Sequence, residues 1–204
     1  LSLQGVADKH KFVAAFSGDD RYIADYLLEE VLSRQPKDIQ DFLLKTSILD
    51  RMCAPLCNEL TGRGDSQAIL NALDRANLFV VPLDNRREWF RYHHLFASLL
   101  RQNLILQTGS EPVADLLRRV IAWYDQNGYP QAAVDMALSG QFYPLAAEIM
   151  EKVVEKLMGG SELTTILKWA QQLPPDVLVK HPRLCLFAAW AANATGHNRI
   201  CAEM

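Results

Sequence analysis

None of the ten glycines in this 204-residue chain is followed by lysine. The phosphate-cradling loop G-x-x-x-x-G-K-S/T is therefore missing, and with it a P-loop nucleotide-hydrolysing core. The nearest approach, Gly159-Gly160-Ser161, reads as a helix terminator. Cysteine is sparse: Cys53, Cys57, Cys185 and Cys201 are too few for a disulfide scaffold and fit a reducing compartment, so a cytoplasmic location is expected. No apolar run approaches the roughly 20 residues of a membrane span, and no signal-peptide pattern opens the chain. Charge of one sign is lacking too. The net charge is −3, with 13 basic and 14 acidic residues before Gln107 and 8 and 10 after it. Neither half carries the basic footprint of a nucleic-acid binder. No G-x-S-x-G or similar motif nominates a nucleophile, so no enzyme activity is expected of this stretch.

What is present is ordinary globular material, half of it apolar. Residues 8–16 read as a short helix, and Ser17-Gly18-Asp19-Asp20 breaks it and offers a cap for the next. That next helix carries Ile23, Leu27 and Val31 on one stripe and stops at Pro36. A third begins at Pro36 or Lys37, with Ile39, Phe42, Leu43 and Thr46 at helical spacing. Residues 50–52 read as a turn, followed by a short helix through Leu56 and Leu60. Arg63-Gly64-Asp65-Ser66 is a polar loop before a helix over 67–77 that buries Ile69, Leu70, Leu73 and Ala76. The period then changes from helix to strand. Residues 79–83 and 88–92 read as a hairpin around Asp84-Asn85-Arg86-Arg87, with Pro82 marking an edge. Alternation puts Trp89 and Arg91 on one face of the second strand, and Phe90 and Tyr92 on the other. After His94 the apolar residues Phe96, Leu100 and Leu104 return to helical spacing. Three helices followed by a hairpin are the order of a winged helix.

From Ser110 onward the pattern is helical throughout, with turns at Asn127-Gly128-Tyr129-Pro130, Gly159-Gly160-Ser161 and Pro174-Pro175. Helices are expected over 145–157, 163–173 and 184–194. Gly128 to Met136 echoes Gly196 to Met204 at an offset of 68 residues, twice the ~34 of a tetratricopeptide repeat. The expected fold is mainly α: residues 1–18 ending a preceding helical subdomain, a winged helix at 19–107, and a TPR-like helical-hairpin array at 108–204. The chain lacks an initiator Met, and Met204 falls inside a helix expected from near Asn198, so it reads as a piece of a longer protein.

Other features have plainer explanations. Cys53 and Cys57, four apart, read as two core cysteines on one helix face, because zinc wants four ligands and no second pair is near. No metal site is expected. Arg86, Arg87 and Arg91 read as a solvated wing, since Gln67, Asn71, Asp74 and Arg75 make a mixed rather than basic helix face.

The stretch Trp89-Phe90-Arg91-Tyr92-His93-His94-Leu95-Phe96 sets two histidines at a strand-to-helix junction. Together with Asp19 to Leu27, Phe42 to Asp50 and Ala76-Asn77-Leu78-Phe79, it resembles the MalT-like branch of the LuxR-type large ATP-binding transcription regulators. These are members of the STAND class of P-loop switch ATPases. The resemblance implies a winged helix that closes over an ADP-bound nucleotide domain outside this chain. It aligns Tyr92, His93 and His94 with a Met-His-Asp motif whose histidine meets the ADP β-phosphate. His93 and His94 are thus the nucleotide-sensing candidates, and His94 departs from the motif's aspartate. ATP or ADP with Mg would be held by the parent protein and not by this fragment. The implied partners are the parent's own nucleotide-binding domain, other protomers on activation, and an inducer or regulatory protein on the helical repeats. DNA would be met only through a C-terminal domain elsewhere in the parent. A stand-alone helical-repeat interaction module and a DNA-binding winged helix are the alternative readings.

Overall fold

A computed structural model of the chain describes residues 27–159 and 162–195. The expected helix at 8–16, the Ser17-Gly18-Asp19-Asp20 cap for the helix after it, and the second copy of the internal echo lie outside these residues. Two compact units divide the chain between Leu116 and Leu117.

In the first unit, a π-helical turn at Leu27–Leu32 buries Val31 and Leu32. Helix α1 (Lys37–Thr46) follows Pro36, whose missing N–H costs nothing at a helix start. Its Phe42, Leu43 and Leu44 are buried. Strand β1 (Met52–Cys53) leads into α2 (Ala54–Thr61), which ends at Gly62 with φ +72°. Helix α3 (Ser66–Arg75) buries Ile69, Leu70 and Leu73. Strands β2 (Val80–Pro82) and β3 (Trp89–Tyr92) form the hairpin, and α4 (His94–Thr108) leaves it. The sheet order is β1-β3-β2, antiparallel throughout, with Met52 opposite Phe90 and Val80 opposite Tyr92. All four residues are buried, so β3 presents its apolar face to the helices, as the alternation predicts. β2 is an edge strand, in keeping with Pro82.

Three expectations are corrected here. Residue Met52, read as part of a turn, is in strand β1. Two residues are too short to show a period, and only their pairing with β3 makes them a strand. Cys53 is therefore not on a helix face with Cys57: it ends β1 and precedes α2, although both thiols are buried. The helix expected to reach Asn77 stops at Arg75, leaving Ala76 exposed. Asn77 takes φ +52°, its amide donates to Asp74 O (3.0 Å), and the Leu78 amide donates to Leu73 O (2.9 Å). That is a Schellman termination with Asn in the left-handed position.

The second unit is helical. Helix α5 (Ser110–Gln126) contains the unit boundary, and its Val120, Ile121 and Tyr124 are buried. Helices α6 (Pro130–Ser139) and α7 (Tyr143–Gly159) pack on each other, as do α8 (Leu163–Ala170) and α10 (Pro182–Ala194). Small residues at the contacts (Ala133, Ala137, Ala146, Ala147, Ala188, Ala191 and Ala192, all buried) allow close approach. The break expected at Pro174-Pro175 contains a four-residue helix, α9 (Pro175–Leu178), because proline is at home in a first helical turn. Trp169, 2% exposed, donates from Nε1 to Asp135 Oδ1 (2.8 Å), fixing α8 against α6. Lys152 with Asp125 (2.7 Å) and His181 with Glu151 (3.1 Å) pair across helices at the rim.

Two helices of this unit end alike. After α5, Gly128 takes φ +83° and the Tyr129 amide donates to Tyr124 O. After α6, the Phe142 amide donates to Ala137 O, but the left-handed position is Gln141, φ +60°, one residue past Gly140. Gln141 is exposed, so its side chain offers little packing in return. Gln141→Gly is expected to stabilise the unit by roughly 0.5–1 kcal/mol, the left-handed penalty less the entropy glycine loses on folding. Thermal denaturation checks this, and an unchanged or lower midpoint contradicts it.

Candidate functional site

The junction between β3 and α4 carries both histidines. His93 is the N-cap of α4 (φ −60°, ψ 136°), and His94 is its first helical residue. The His93 carbonyl accepts from the Ala97 amide (2.9 Å), starting the helix, while its own amide donates to Phe79 O across the hairpin (2.7 Å). No side chain caps the first turn. The imidazoles of His93 and His94 lie 4.4 Å apart at 35°, the first half-buried and the second exposed. Burial, followed by the positive neighbours His94 and Arg91, holds the His93 imidazole below the usual histidine range. A neutral imidazole offers one N–H donor, here beside the positive end of a 15-residue helix.

The platform beneath is tied together by hydrogen bonds. Tyr92 is buried, and its hydroxyl meets Thr46 Oγ1 at 2.7 Å. Thr46 already donates to Phe42 O (2.6 Å), so Tyr92 is the donor in that pair. Burial pushes the Tyr92 phenol up and keeps it neutral. Arg101, two turns along α4, donates to Ser47 O at the end of α1 (3.1 Å). These ties join α4 and β3 to α1. The pattern of sequence marked Thr46 only as an apolar-face residue and gave Arg101 no partner, since a pairing more than 40 residues apart leaves no local signal.

Phe79 was expected to open strand β2. Instead it lies just outside it, at φ +55°, with its ring near those of Phe96 (5.3 Å) and His93 (6.3 Å). A bulky residue in this region carries a penalty of roughly 1–2 kcal/mol.

The wing is organised by Asp84. Its carboxylate accepts from the amides of Arg86 (2.8 Å), Glu88 (3.2 Å) and Trp89 (2.7 Å). Those backbone donors, Trp89 foremost, hold the Asp84 carboxyl below the usual carboxylate range. Its stabilising effect is thus complete above the unfolded value of about 3.9 and is lost as pH falls through the lower folded value. Following the Trp89 amide resonance against pH is expected to show the wing opening below the ordinary carboxylate range. Asp84→Ala should give the open-wing spectrum at neutral pH, and an acid-insensitive Trp89 amide contradicts this account.

Arg86 and Arg91 are exposed on the wing, whereas Arg87 reaches Asp74 on α3 (3.3 Å). Gln67 of α3 donates to Arg87 O (3.0 Å). The helix that precedes the wing therefore spends polar residues on the wing itself. Arg63 pairs with Asp65 (2.7 Å) and Asp38 (3.3 Å), closing its loop onto α1. Burial, with Cys53 nearby, pushes the Cys57 thiol up and makes it a poor nucleophile. Among the described residues no group of three histidine, cysteine or acidic side chains is arranged to hold a metal ion. Among them, too, no helix is long and apolar enough to cross a membrane.

A helical platform, a three-stranded antiparallel sheet and a hairpin wing running into a further helix make residues 27–108 a winged helix domain. Comparison with known proteins agrees: residues 28–112 match the MalT winged helix domain. The serine/threonine-protein kinase PknK of Mycobacterium tuberculosis is 35% identical over 191 residues, covering 94% of this chain and 17% of the kinase. The HTH-type transcriptional regulator MalT of Vibrio campbellii is 32% identical over 174 residues, 85% of this chain and 19% of the regulator. MalT of Cronobacter sakazakii is 33% identical over 169 residues, 83% and 19%. The chain thus spans less than a fifth of the length of these relatives.

Proposed function

We propose that this chain is the closing module of a signal-dependent, cytoplasmic bacterial transcription regulator. In this reading the winged helix folds over an ADP-loaded nucleotide domain of the same parent, and the helices from Ser110 onward, a TPR-like arm, relay inducer binding to it. The observation that carries the proposal is the pair of half-buried and exposed imidazoles at the uncapped start of α4. A neutral N–H donor beside a helix N-terminus suits a phosphate oxygen. ATP exchange and inducer would shift the parent to an open form that associates with other protomers. DNA would be met by a helix-turn-helix domain elsewhere in the parent.

The relatives sharpen this reading. One is named a protein kinase and the others transcriptional regulators, at nearly equal identity over this segment. A module common to both kinds of parent is better suited to the switch than to the output. Direct DNA reading is disfavoured by the negative net charge and by the engagement of Gln67 and Asp74 with the wing. The test is activity of the full-length parent without inducer: His93→Ala should raise it, and reporter output that still needs inducer contradicts the proposal.

A further inference from the structure

We infer that Phe79 is the positioning residue for His93: its left-handed backbone presents its carbonyl to the His93 amide while its ring sits against the His93 imidazole. This rests on the reading of His93 as the phosphate-facing donor.

A bulky aromatic at φ +55° persists only where its surroundings over-determine it. Phe79 is half-buried at the margin of the core, whereas Val80, Tyr92 and Phe96 are fully part of it. Glycine would take this backbone without strain, and Asn77, two residues earlier at φ +52°, is a type that tolerates it. A phenylalanine here is explained by what its ring meets. One side approaches His93 edge-on (6.3 Å, 66°), and another leans on Phe96 (5.3 Å, 37°). Phe96 is buried and set edge-on to Tyr92 (5.9 Å, 78°), and Tyr92 is tied to Thr46. A continuous line therefore runs from the domain core, through Tyr92, Phe96 and Phe79, to the imidazole. The same residue holds the other end of His93, because the 2.7 Å bond from its amide goes to the Phe79 carbonyl. Phe79 thus meets the N-cap at both backbone and ring, on a different contact from the 4.4 Å approach of His94. A donor already held in one rotamer has less ordering left to undergo when a phosphate arrives.

Nuclear magnetic resonance on the full 204-residue chain tests this, with the His93 ring assigned by difference against His93→Gln. In the unsubstituted protein, cross-relaxation should join the Phe79 and His93 rings, and one χ1 rotamer of His93 should dominate. Phe79→Gly keeps the carbonyl, relieves the backbone and removes the ring. It should stay folded while His93 loses its ring-current shift and averages over the staggered wells. Phe79→Leu keeps apolar bulk and should show the same loss, which covers failure of the glycine variant to fold. An unchanged His93 rotamer in either folded variant, or absent cross-relaxation in the parent sequence, overturns the inference. Failure of the sensing reading is a separate result: His93→Ala would leave ADP release unaltered in the full-length protein while Phe79→Gly still released the imidazole.

Discussion

Phe90→Ala is expected to cost about 3–5 kcal/mol, the range for removing a fully buried phenylalanine and leaving a cavity. Phe90 has no exposed surface and stands on the central strand, opposite Met52 of β1 on one side and Pro82 of β2 on the other. It therefore stands between both edges of the sheet. With domain stabilities commonly about 5–15 kcal/mol, this loss is a large share of the total. The next residue along the strand is the control. Arg91 alternates to the exposed face, and Arg91→Ala should stay within about 0.5 kcal/mol. Urea midpoints, with backbone hydrogen exchange in the first unit as the local probe, read both. A cost below about 1 kcal/mol for Phe90→Ala would mean that β3 does not organise this domain.

That alternation was legible in the sequence, as was most of the architecture. Phe90 and Tyr92 against Trp89 and Arg91, the helical return at Phe96, Leu100 and Leu104, and the edge position of Pro82 all follow from local periodicity. What escaped was set by partners distant in sequence. Met52 and Cys53 are a strand because β3 passes beside them. Thr46 is more than a helix-face residue because the Tyr92 hydroxyl comes to it from 46 residues away. The left-handed backbone also escaped, for a chemical reason. Gly62 and Gly128 occur where glycine announces such a position, but Phe79, Arg87 and Gln141 adopt it without that signal. The two histidines were visible as a feature of the strand-to-helix junction. The contact of Phe79 with His93 was not, since it depends on the closed hairpin.

The remaining large effect concerns the switch. If His93 donates to an ADP phosphate in the closed parent, that hydrogen bond to a charged group is worth roughly 1.5–3 kcal/mol. Its loss in His93→Ala lowers the closed-to-open ratio about 10- to 150-fold. His94 is exposed at the first helical position, so His94→Ala should have the smaller effect. The 204-residue chain itself should keep its fold in both variants, because neither imidazole is part of the buried core. The deciding measurement is the rate at which ADP leaves the full-length parent, compared for the unsubstituted protein, His93→Ala and His94→Ala, alongside the melting point of the fragment. The account predicts release from His93→Ala faster by at least about tenfold with an unchanged fragment melting point. A melting point that falls while ADP leaves at the original rate would show that His93 only packs, and would contradict it.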